Sequence, residues 1–404
     1  MSKPILKCGG SVTGATVRLD IEGEGSFLFE FVSGEAPPLV TLDFVIWAVL
    51  PYAMRRNADI HVQGRVSEQV IRAASKVSNV WEKWLPYHFM RARVTADEVT
   101  EETHPATRKL GFYSGGVDSS YSSLKAWREE GERVEALTFH GLDYDHDSDA
   151  RFEALLAKVK PFADVVFDRH HIVRTDIYDL YDRVGVNLKK GTVSHIFVMS
   201  AAATMFADCA EFRIAADIRL DQQYLTTPDG SSLATNRLIR SQNGVMVSLD
   251  DDVGRAEKIA YLAGAGADFS CISFCQNRAT QPLNCGRCSK CMRTKANFIA
   301  TGFDIPDMFV DATFGEDWMD ALMLSTPAGR VFAGDILAAV EDRGNEGVFP
   351  GYHELRRRFV DASDKAEHSL LFQYNYSFRE ISKQLLPQPV VSAVRLLKRV
   401  FRIA

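Results

Sequence analysis

The 404-residue sequence has no long apolar segment, no export signal and no excess of positive charge. No stretch reaches the roughly 18 to 20 consecutive apolar residues that a membrane-spanning helix needs. The N-terminal MSKPILKCGG has no apolar core of signal-peptide length. We therefore expect a cytoplasmic protein that does not insert into a membrane. The formal net charge of -6 argues against a protein that mainly coats nucleic acid, because that task requires a basic surface.

Cysteine is scarce outside one short segment. Five of the seven cysteines lie between residues 271 and 291, whereas Cys8 and Cys209 stand alone. A tight cluster in a chain without an export signal favours a metal site over a framework of disulfides. We expect the two isolated cysteines and Cys271 to be small buried apolar residues.

The composition that remains is that of a globular protein, with 46% hydrophobic and 25% charged residues. At roughly 150 residues per domain, the length suggests two or three domains. Residues 1–105 predict a small α+β module, because residues 17–33 alternate apolar and polar around GEG, as in a hairpin. Residues 301–404 predict a mainly helical region that ends in an amphipathic helix at 390–404. That helix suits its own domain, a membrane surface or a partner.

Between these regions, residues 106–300 alternate short apolar strands with helices. The predicted strands cover residues 110–114, 134–140, 163–168 and 212–218. This alternation predicts an α/β fold with a doubly wound parallel sheet, whose ligand site lies at the carboxyl ends of the strands.

The first motif with chemical meaning is SGGVDS, residues 114–119, between a predicted strand and a predicted helix. Gly115 and Gly116 have no Cβ, so the backbone can approach an anion, and the helix N-terminus favours negative charge. Ser114 and Ser119 add hydroxyl donors. Asp118 fits such a pocket where Mg²⁺ bridges it to phosphates. A simple tight turn with Asp118 as a helix cap is the alternative.

The string lacks the GK[ST] ending of a Walker A loop. It resembles the signature of the PP-loop ATP pyrophosphatases of the adenine nucleotide alpha hydrolase-like superfamily. Members of that superfamily cleave ATP between the α and β phosphates. The resemblance implies that the loop, including Val117, binds ATP and its pyrophosphate.

The second motif is a group of four cysteines with metal-ligand spacing: Cys275, Cys285, Cys288 and Cys291. Two overlapping CxxC steps and one upstream cysteine can supply four thiolates, for which tetrahedral Zn²⁺ is the natural occupant. This segment, residues 275–291, predicts a zinc knuckle. An iron–sulfur cluster is the main alternative, and thiols without a metal are another. Three flanking cations are expected to offset the thiolate charge: Arg287, Lys290 and Arg293.

The order of the two motifs resembles the 7-cyano-7-deazaguanine synthase family over about residues 108–300. Members activate a deazaguanine carboxylate with ATP, take up ammonia to form an amide, and dehydrate it to a nitrile with a second ATP. Their zinc is structural. Residues 254–275 are similar to the helix that leads into the first zinc cysteine, which implies that Arg255 and Lys258 face phosphate and take part in catalysis with Asp118 and Ser119.

The sequence departs from that family around the expected substrate. FHGLDYDHD, residues 139–147, replaces a tyrosine-glycine-glutamine-basic string, and Ser194 and His195 stand near an arginine-asparagine pair of the family. We expect His140, His195 and Asp217 near the substrate, with a core histidine as the alternative for His195. Asp217 ends a predicted strand at the face where ligands bind.

The predicted function is an ATP-dependent ligase that adenylates a carboxylate, releases pyrophosphate and forms an amide or nitrile. The substrate is expected to be a small carboxylate or a nucleobase-like molecule. Residues 1–105 and 301–404 have no counterpart in the minimal synthase, so conjugation to a protein partner, as in anti-phage defence, is one alternative. A tRNA-modifying PP-loop enzyme and a non-catalytic zinc and nucleotide-binding module are the others.

Overall fold

A single ten-stranded β-sheet runs through the part of the chain that the computed structural model describes, residues 3–184, 193–226 and 228–368. Twelve α-helices accompany the sheet in these residues, so the predicted α/β class is confirmed. None of these described helices is long and apolar enough to cross a membrane. The predicted helix at 390–404 lies outside the described residues.

The described part of the chain begins with three strands, continues with strands and helices in mixed order, and ends with four α-helices. The strands are β1 (Ile5–Thr13), β2 (Thr16–Ile21), β3 (Gly25–Phe31), β4 (Asp59–Ser67), β5 (Val94–Thr100), β6 (Arg108–Phe112), β7 (Glu135–His140), β8 (Arg169–Thr175), β9 (Cys209–Ala215) and β10 (Val245–Leu249). The helices are α1 (Asp43–Arg56), α2 (Glu68–Trp84), α3 (Val117–Glu129), α4 (Asp149–Val166), α5 (Ile177–Asp182), α6 (His195–Thr204), α7 (Leu220–Thr226), α8 (Leu233–Asn236), α9 (Arg255–Gly264), α10 (Ser289–Ala300), α11 (Pro327–Asp342) and α12 (Tyr352–His368).

The strand order is β10-β9-β6-β7-β8-β3-β2-β1-β4-β5. The first five strands of this order are parallel to one another, as are β1, β4 and β5. The antiparallel strands β2 and β3 join the two parallel blocks, and β3 pairs with β8. The strands of the predicted N-terminal module therefore extend the same sheet across the expected boundary near residue 105.

Helices cover both faces of the sheet, because alternate residues of a strand point to opposite faces. On β7, Leu137 and Phe139 pack in one core together with residues of α1, α2 and α6. Ala136, which precedes them, belongs to a second core with residues of α3, α4, α9 and α10. A third, smaller core joins α10 to α11 and α12.

One predicted strand is wrong. Residues 163–168 mostly belong to α4, whose buried residues recur at helical spacing: Phe152, Leu155, Val159, Phe162, Ala163 and Val166. The actual strand, β8, begins at Arg169 with polar residues that hide it in the sequence. Its histidines have partners on β7: His170 Nε2 lies 2.7 Å from Thr138 Oγ1, and His171 Nε2 lies 2.5 Å from Glu135 Oε2.

Candidate functional site

The glycine pair after β6 turns the chain into α3. Gly115 has a φ of 75°, in the left-handed region that side chains disfavour. A Cβ at this position would lie 2.7 Å from Val159 Cγ1 of α4, so the packing also requires glycine. The loop follows β6 at the point where successive strands β7 and β8 lie on one side and β9 and β10 on the other. In open α/β sheets, ligands bind at such a switch point.

The start of α3 is open to an anion. Its N-cap residue is Gly116, and no side chain caps the helix, so the first-turn N–H groups have no partner within the helix. Ser114 Oγ accepts a hydrogen bond from the Gly116 N–H at 3.3 Å, and Ser119 Oγ donates to Gly116 O at 3.2 Å. The two serine oxygens lie 3.4 Å apart. Such a helix N-terminus favours bound negative charge.

Asp118, in the first turn of α3, contacts two cations. Arg255 Nη2 lies 2.7 Å from Asp118 Oδ2, and Lys258 Nζ lies 3.5 Å from Asp118 Oδ1. Lys258 is fully buried and also donates to the backbone oxygen of Ala216. Asp118 Oδ1 is buried and accepts no hydrogen bond within the described residues. The structure thus brings together Asp118, Arg255 and Lys258, which the sequence assigned to one phosphate site.

Two carboxylates lie at the start of α9, where Arg255 is the first residue of the helix. Glu257 Oε2 accepts a hydrogen bond from the Gly254 N–H at 2.7 Å, which caps the helix. Asp335 of α11 accepts a hydrogen bond from Gln222 Nε2 at 2.5 Å, and the backbone of Arg255 lies close enough to influence its pKa. Burial raises the pKa of Asp335. The C-terminal helical region therefore contributes to this cluster.

Arg293, which was expected beside the cysteines, lies in the same cluster. Its guanidinium stacks on the ring of Phe332, with Cζ 3.4 Å from the ring centroid. The side chain is buried, and the nearby charges include those of Arg255, Asp118, Asp217 and Asp335. Burial, together with the charge of Arg255, lowers the pKa of Arg293 to about 9. Sequence reasoning missed this location.

Asp217 borders a small cleft next to the carboxyl end of β9, and His195 contacts one of the residues that line it. Asp217 lines this cleft together with Asp229 and Ser231. His195 Nε2 lies 2.7 Å from Ser231 Oγ, and the Ser231 N–H donates to Asp229 Oδ1 at 2.7 Å. Burial and the charge of Asp217 raise the pKa of Asp229 to about 6. The sequence missed Asp229, because Pro-Asp-Gly reads as a turn.

His140 has other surroundings. Its ring stacks on Phe152 with centroids 4.3 Å apart, and Nε2 lies 2.9 Å from the backbone oxygen of Asp145. Burial lowers the pKa of this histidine. Its contacts within the described residues fasten the loop after β7 to α4 and include none of the other predicted site residues.

The four predicted cysteine ligands come together and can hold a metal ion. Their sulfurs all lie within 4.8 Å of one another, with 3.8 Å between Cys275 and Cys288 and 3.9 Å between Cys285 and Cys291. Backbone N–H groups of Asn277 and Cys285 point at the Cys275 sulfur, at 3.3 and 3.4 Å. Such N–H groups stabilise thiolates.

The turn that presents these cysteines is fixed by Gly286 and Lys295. Gly286 has a φ of 80°, and a Cβ there would lie 1.9 Å from the backbone oxygen of Asp311. Lys295 is fully buried. Its Nζ donates to the backbone oxygens of Gly286, Asp311 and Thr313 at 2.8, 2.5 and 2.9 Å. The sequence missed Lys295, although it follows Cys291 by one helical turn and so shares its face of α10.

Arg287 and the three cysteines outside the group of four have other surroundings. Arg287 pairs with Asp311, its Nε lying 2.5 Å from Oδ2. Cys271 is buried, and its sulfur lies 3.5 Å from Asp268 Oδ2. Burial raises the pKa of both Cys8 and Cys209 to about 12, which makes these thiols unreactive.

The cysteine segment touches the glycine loop directly. The Ser273 N–H donates to the backbone oxygen of Gly115 at 2.8 Å, and Ser273 Oγ donates to that of Pro282 at 2.8 Å. Comparison with protein-family models, with curated proteins and with solved structures gave no match to this chain. The fold and the site define an α/β protein with a glycine loop at a switch point of the sheet and an adjoining four-cysteine site.

Proposed function

We propose that this protein is a PP-loop ATP pyrophosphatase that adenylates a carboxylate and then joins it to a nitrogen nucleophile, in the manner of 7-cyano-7-deazaguanine synthases. The main support is the position of SGGVDS at the switch point of the sheet, with Asp118 between Arg255 and Lys258. A loop of this kind places N–H groups and two buried cations around one anion. A 7-deazaguanine-type acid is the proposed substrate class.

In the proposed reaction, a carboxylate oxygen attacks the α-phosphorus of ATP and the bond to the pyrophosphate oxygen breaks. The first-turn N–H groups of α3, with Arg255 and Lys258, bind the departing pyrophosphate and stabilise its charge. A nitrogen nucleophile then attacks the acyl carbon of the adenylate and expels AMP. The protein contributes position and charge rather than a nucleophile of its own.

A Mg²⁺ ion fits this arrangement, because Mg²⁺ binds through one or two carboxylates together with substrate phosphates. Asp118 Oδ1 is buried without a hydrogen bond in the described residues and lies 3.5 Å from Lys258 Nζ, so a lone pair remains that could bind the ion. Bound Mg²⁺ would neutralise phosphate charge there. Arg255 remains paired with Oδ2 of the same carboxylate.

The spacing of the cysteine sulfurs favours a single zinc ion over a cluster. Four sulfurs around one ion at about 2.3 Å stand about 3.8 Å apart in a tetrahedron. Two pairs of the cysteine sulfurs lie 3.8 and 3.9 Å apart, and all four lie within 4.8 Å of one another. An iron–sulfur cluster distributes its cysteines over several metal atoms and so separates the sulfurs further. Four thiolates close the coordination shell, which gives zinc a structural role.

The test is pyrophosphate release from ATP and Mg²⁺ across a panel of carboxylates that includes 7-carboxy-7-deazaguanine, with ammonia as the nucleophile. We expect release with at least one acid, and Asp118→Asn should lower the rate by about 100-fold, the usual effect of removing one preorganised charged contact. No release with any acid, or an unchanged rate in Asp118→Asn, would contradict the proposal.

Glu132→Gln is the matched control. Glu132 is also a partly buried carboxylate between two cations, Lys109 and Arg213, and its side chain is 22% exposed against 17% for Asp118. It precedes β7 and therefore lies at the opposite end of the strands. Loss of its ion pairs should affect stability and leave the rate of pyrophosphate release at the wild-type value.

A further inference from the structure

We propose that Arg293 of α10 is a further phosphate-binding residue, which Phe332 of α11 holds in place beside Asp118 and Arg255. The identity of the anion as pyrophosphate or ATP rests on the proposed function. The glycine loop does not predict this role, because Arg293 is far from SGGVDS in sequence. The cysteine motif does not predict it either, because Arg293 was expected to offset the charge of the thiolates.

The first support is an unsatisfied buried guanidinium. Arginine carries five N–H donors, yet Arg293 donates no hydrogen bond to any residue that the structure describes, and its Nε is buried without an acceptor. The side chain is only 7% exposed. A buried charge without hydrogen bonds is strongly unfavourable for the folded chain alone. A bound anion would supply the missing acceptors.

The second support is the way the guanidinium is held. Phe332 covers one face of its plane at 3.4 Å, which fixes the plane and leaves the N–H edge for a ligand. Arginine presents this edge as a planar fork that matches phosphate oxygens. The stack is a cation–π contact, so it stabilises the position of the charge without using any N–H donor.

The third support is the pairing of like charges. Arg293 and Arg255 interact unfavourably with each other, while Asp118, Asp217 and Asp335 offset part of their charge. Asp118 and Asp335 are already engaged, the first by the Arg255 guanidinium and the second by Gln222. An anion bound by both arginines would remove this repulsion.

Isothermal titration of inorganic pyrophosphate with Mg²⁺ into the full-length protein tests the proposal. Arg293→Met keeps much of the apolar stem, and we expect it to weaken binding by about 10- to 100-fold, as for a lost charged hydrogen bond. Arg287→Met is the matched control, because Arg287 belongs to the same motif but is exposed and pairs with Asp311. Its affinity should stay within twofold of wild type.

Thermal unfolding without ligand separates binding from a structural role. We expect Arg293→Met to be at least as stable as wild type, because it removes a buried cation that has no hydrogen bond. If Arg293→Met does not fold, Arg293→Lys replaces it in the titration and should still weaken binding, because lysine lacks the fork. Binding within twofold of wild type in any folded variant, or weaker binding only in variants that have also lost ligand-free stability, would overturn the proposal.

The two proposals fail separately. If wild type binds pyrophosphate and Arg293→Met does not, while no carboxylate supports release from ATP, the proposed reaction fails and the role of Arg293 stands. If release occurs and the variant binds pyrophosphate normally, only the role of Arg293 fails. Absence of pyrophosphate binding in wild type would overturn the role of Arg293.

Discussion

Substitution of Gly115 by alanine tests the geometry of the glycine loop quantitatively. A residue with a Cβ at a φ of 75° is strained by about 1–2 kcal/mol. The new methyl group would also lie 2.7 Å from Val159 Cγ1, and such overpacking costs about 1–3 kcal/mol. We therefore expect Gly115→Ala to lower the free energy of unfolding by about 2–5 kcal/mol.

Two further variants separate these terms. Gly131 has a φ of 65°, and a Cβ there meets nothing within 4 Å, so Gly131→Ala measures backbone strain alone, about 1–2 kcal/mol. Val159→Ala removes the atom that the new methyl group at position 115 would strike. In the double variant Gly115→Ala/Val159→Ala, the overlap is relieved, and the summed destabilisation should exceed the measured one by about 1–3 kcal/mol.

Urea unfolding of the wild type and these variants supplies the free energies, and pyrophosphate titration of the same samples reports on the loop. Relief of the overlap should appear as this non-additivity in stability and restore little of the binding, because the strained backbone at residue 115 would still displace the N–H groups of α3. If Gly115→Ala is no more destabilising than Gly131→Ala, or if the double variant is strictly additive, the packing of α4 against the loop is not as described.

Two other predictions concern the cysteines and the carboxylate pair. Elemental analysis should find one zinc per chain in the wild type. The zinc should be lost in Cys285→Ser and retained in Cys271→Ser. Iron in place of zinc, or loss of the metal in both variants, would contradict a zinc site formed by the four cysteines. Burial and Asp217 raise the folded pKa of Asp229 to about 6 from 3.8, so its ionisation destabilises the fold increasingly as pH rises from 4 to 6. Asp229→Asn should therefore raise the free energy of unfolding by about 2–3 kcal/mol at pH 7 and change it little at pH 4. Urea unfolding at the two pH values measures both effects. Equal effects at both pH values would refute a raised pKa of Asp229.

The sequence was sufficient where the relevant chemistry lies in contiguous or regularly spaced residues. The glycine loop follows a strand and starts a helix, and the four cysteines converge as their spacing predicts. The prediction failed for β8, which looks polar because it contains His170 and His171. The partners of these histidines lie on β7 and are remote in sequence. No local pattern signals such cross-strand pairs, which depend on the order of strands in the sheet.

The C-terminal helices illustrate the same limit. Phe332 and Asp335 of α11 reach the cluster around Asp118 from more than 200 positions along the chain. As single residues on an amphipathic helix, they look like ordinary core and surface positions. Only the packing of α11 on α9 and α10 gives them a place near Arg255 and Arg293.

Helix α10 carries residues of both the four-cysteine site and the proposed anion site. Successive residues of a helix are rotated by about 100°, so Lys295 shares a face with Cys291, while Arg293 is rotated by about 200° from that cysteine and points away from it. Lys295 fixes the cysteine turn by its three carbonyl contacts. A metal bound by Cys291 would therefore set the rotation of α10 about its axis. If Arg293 binds phosphate as proposed, that rotation also positions its guanidinium, so a structural metal would contribute to anion binding without touching the ligand.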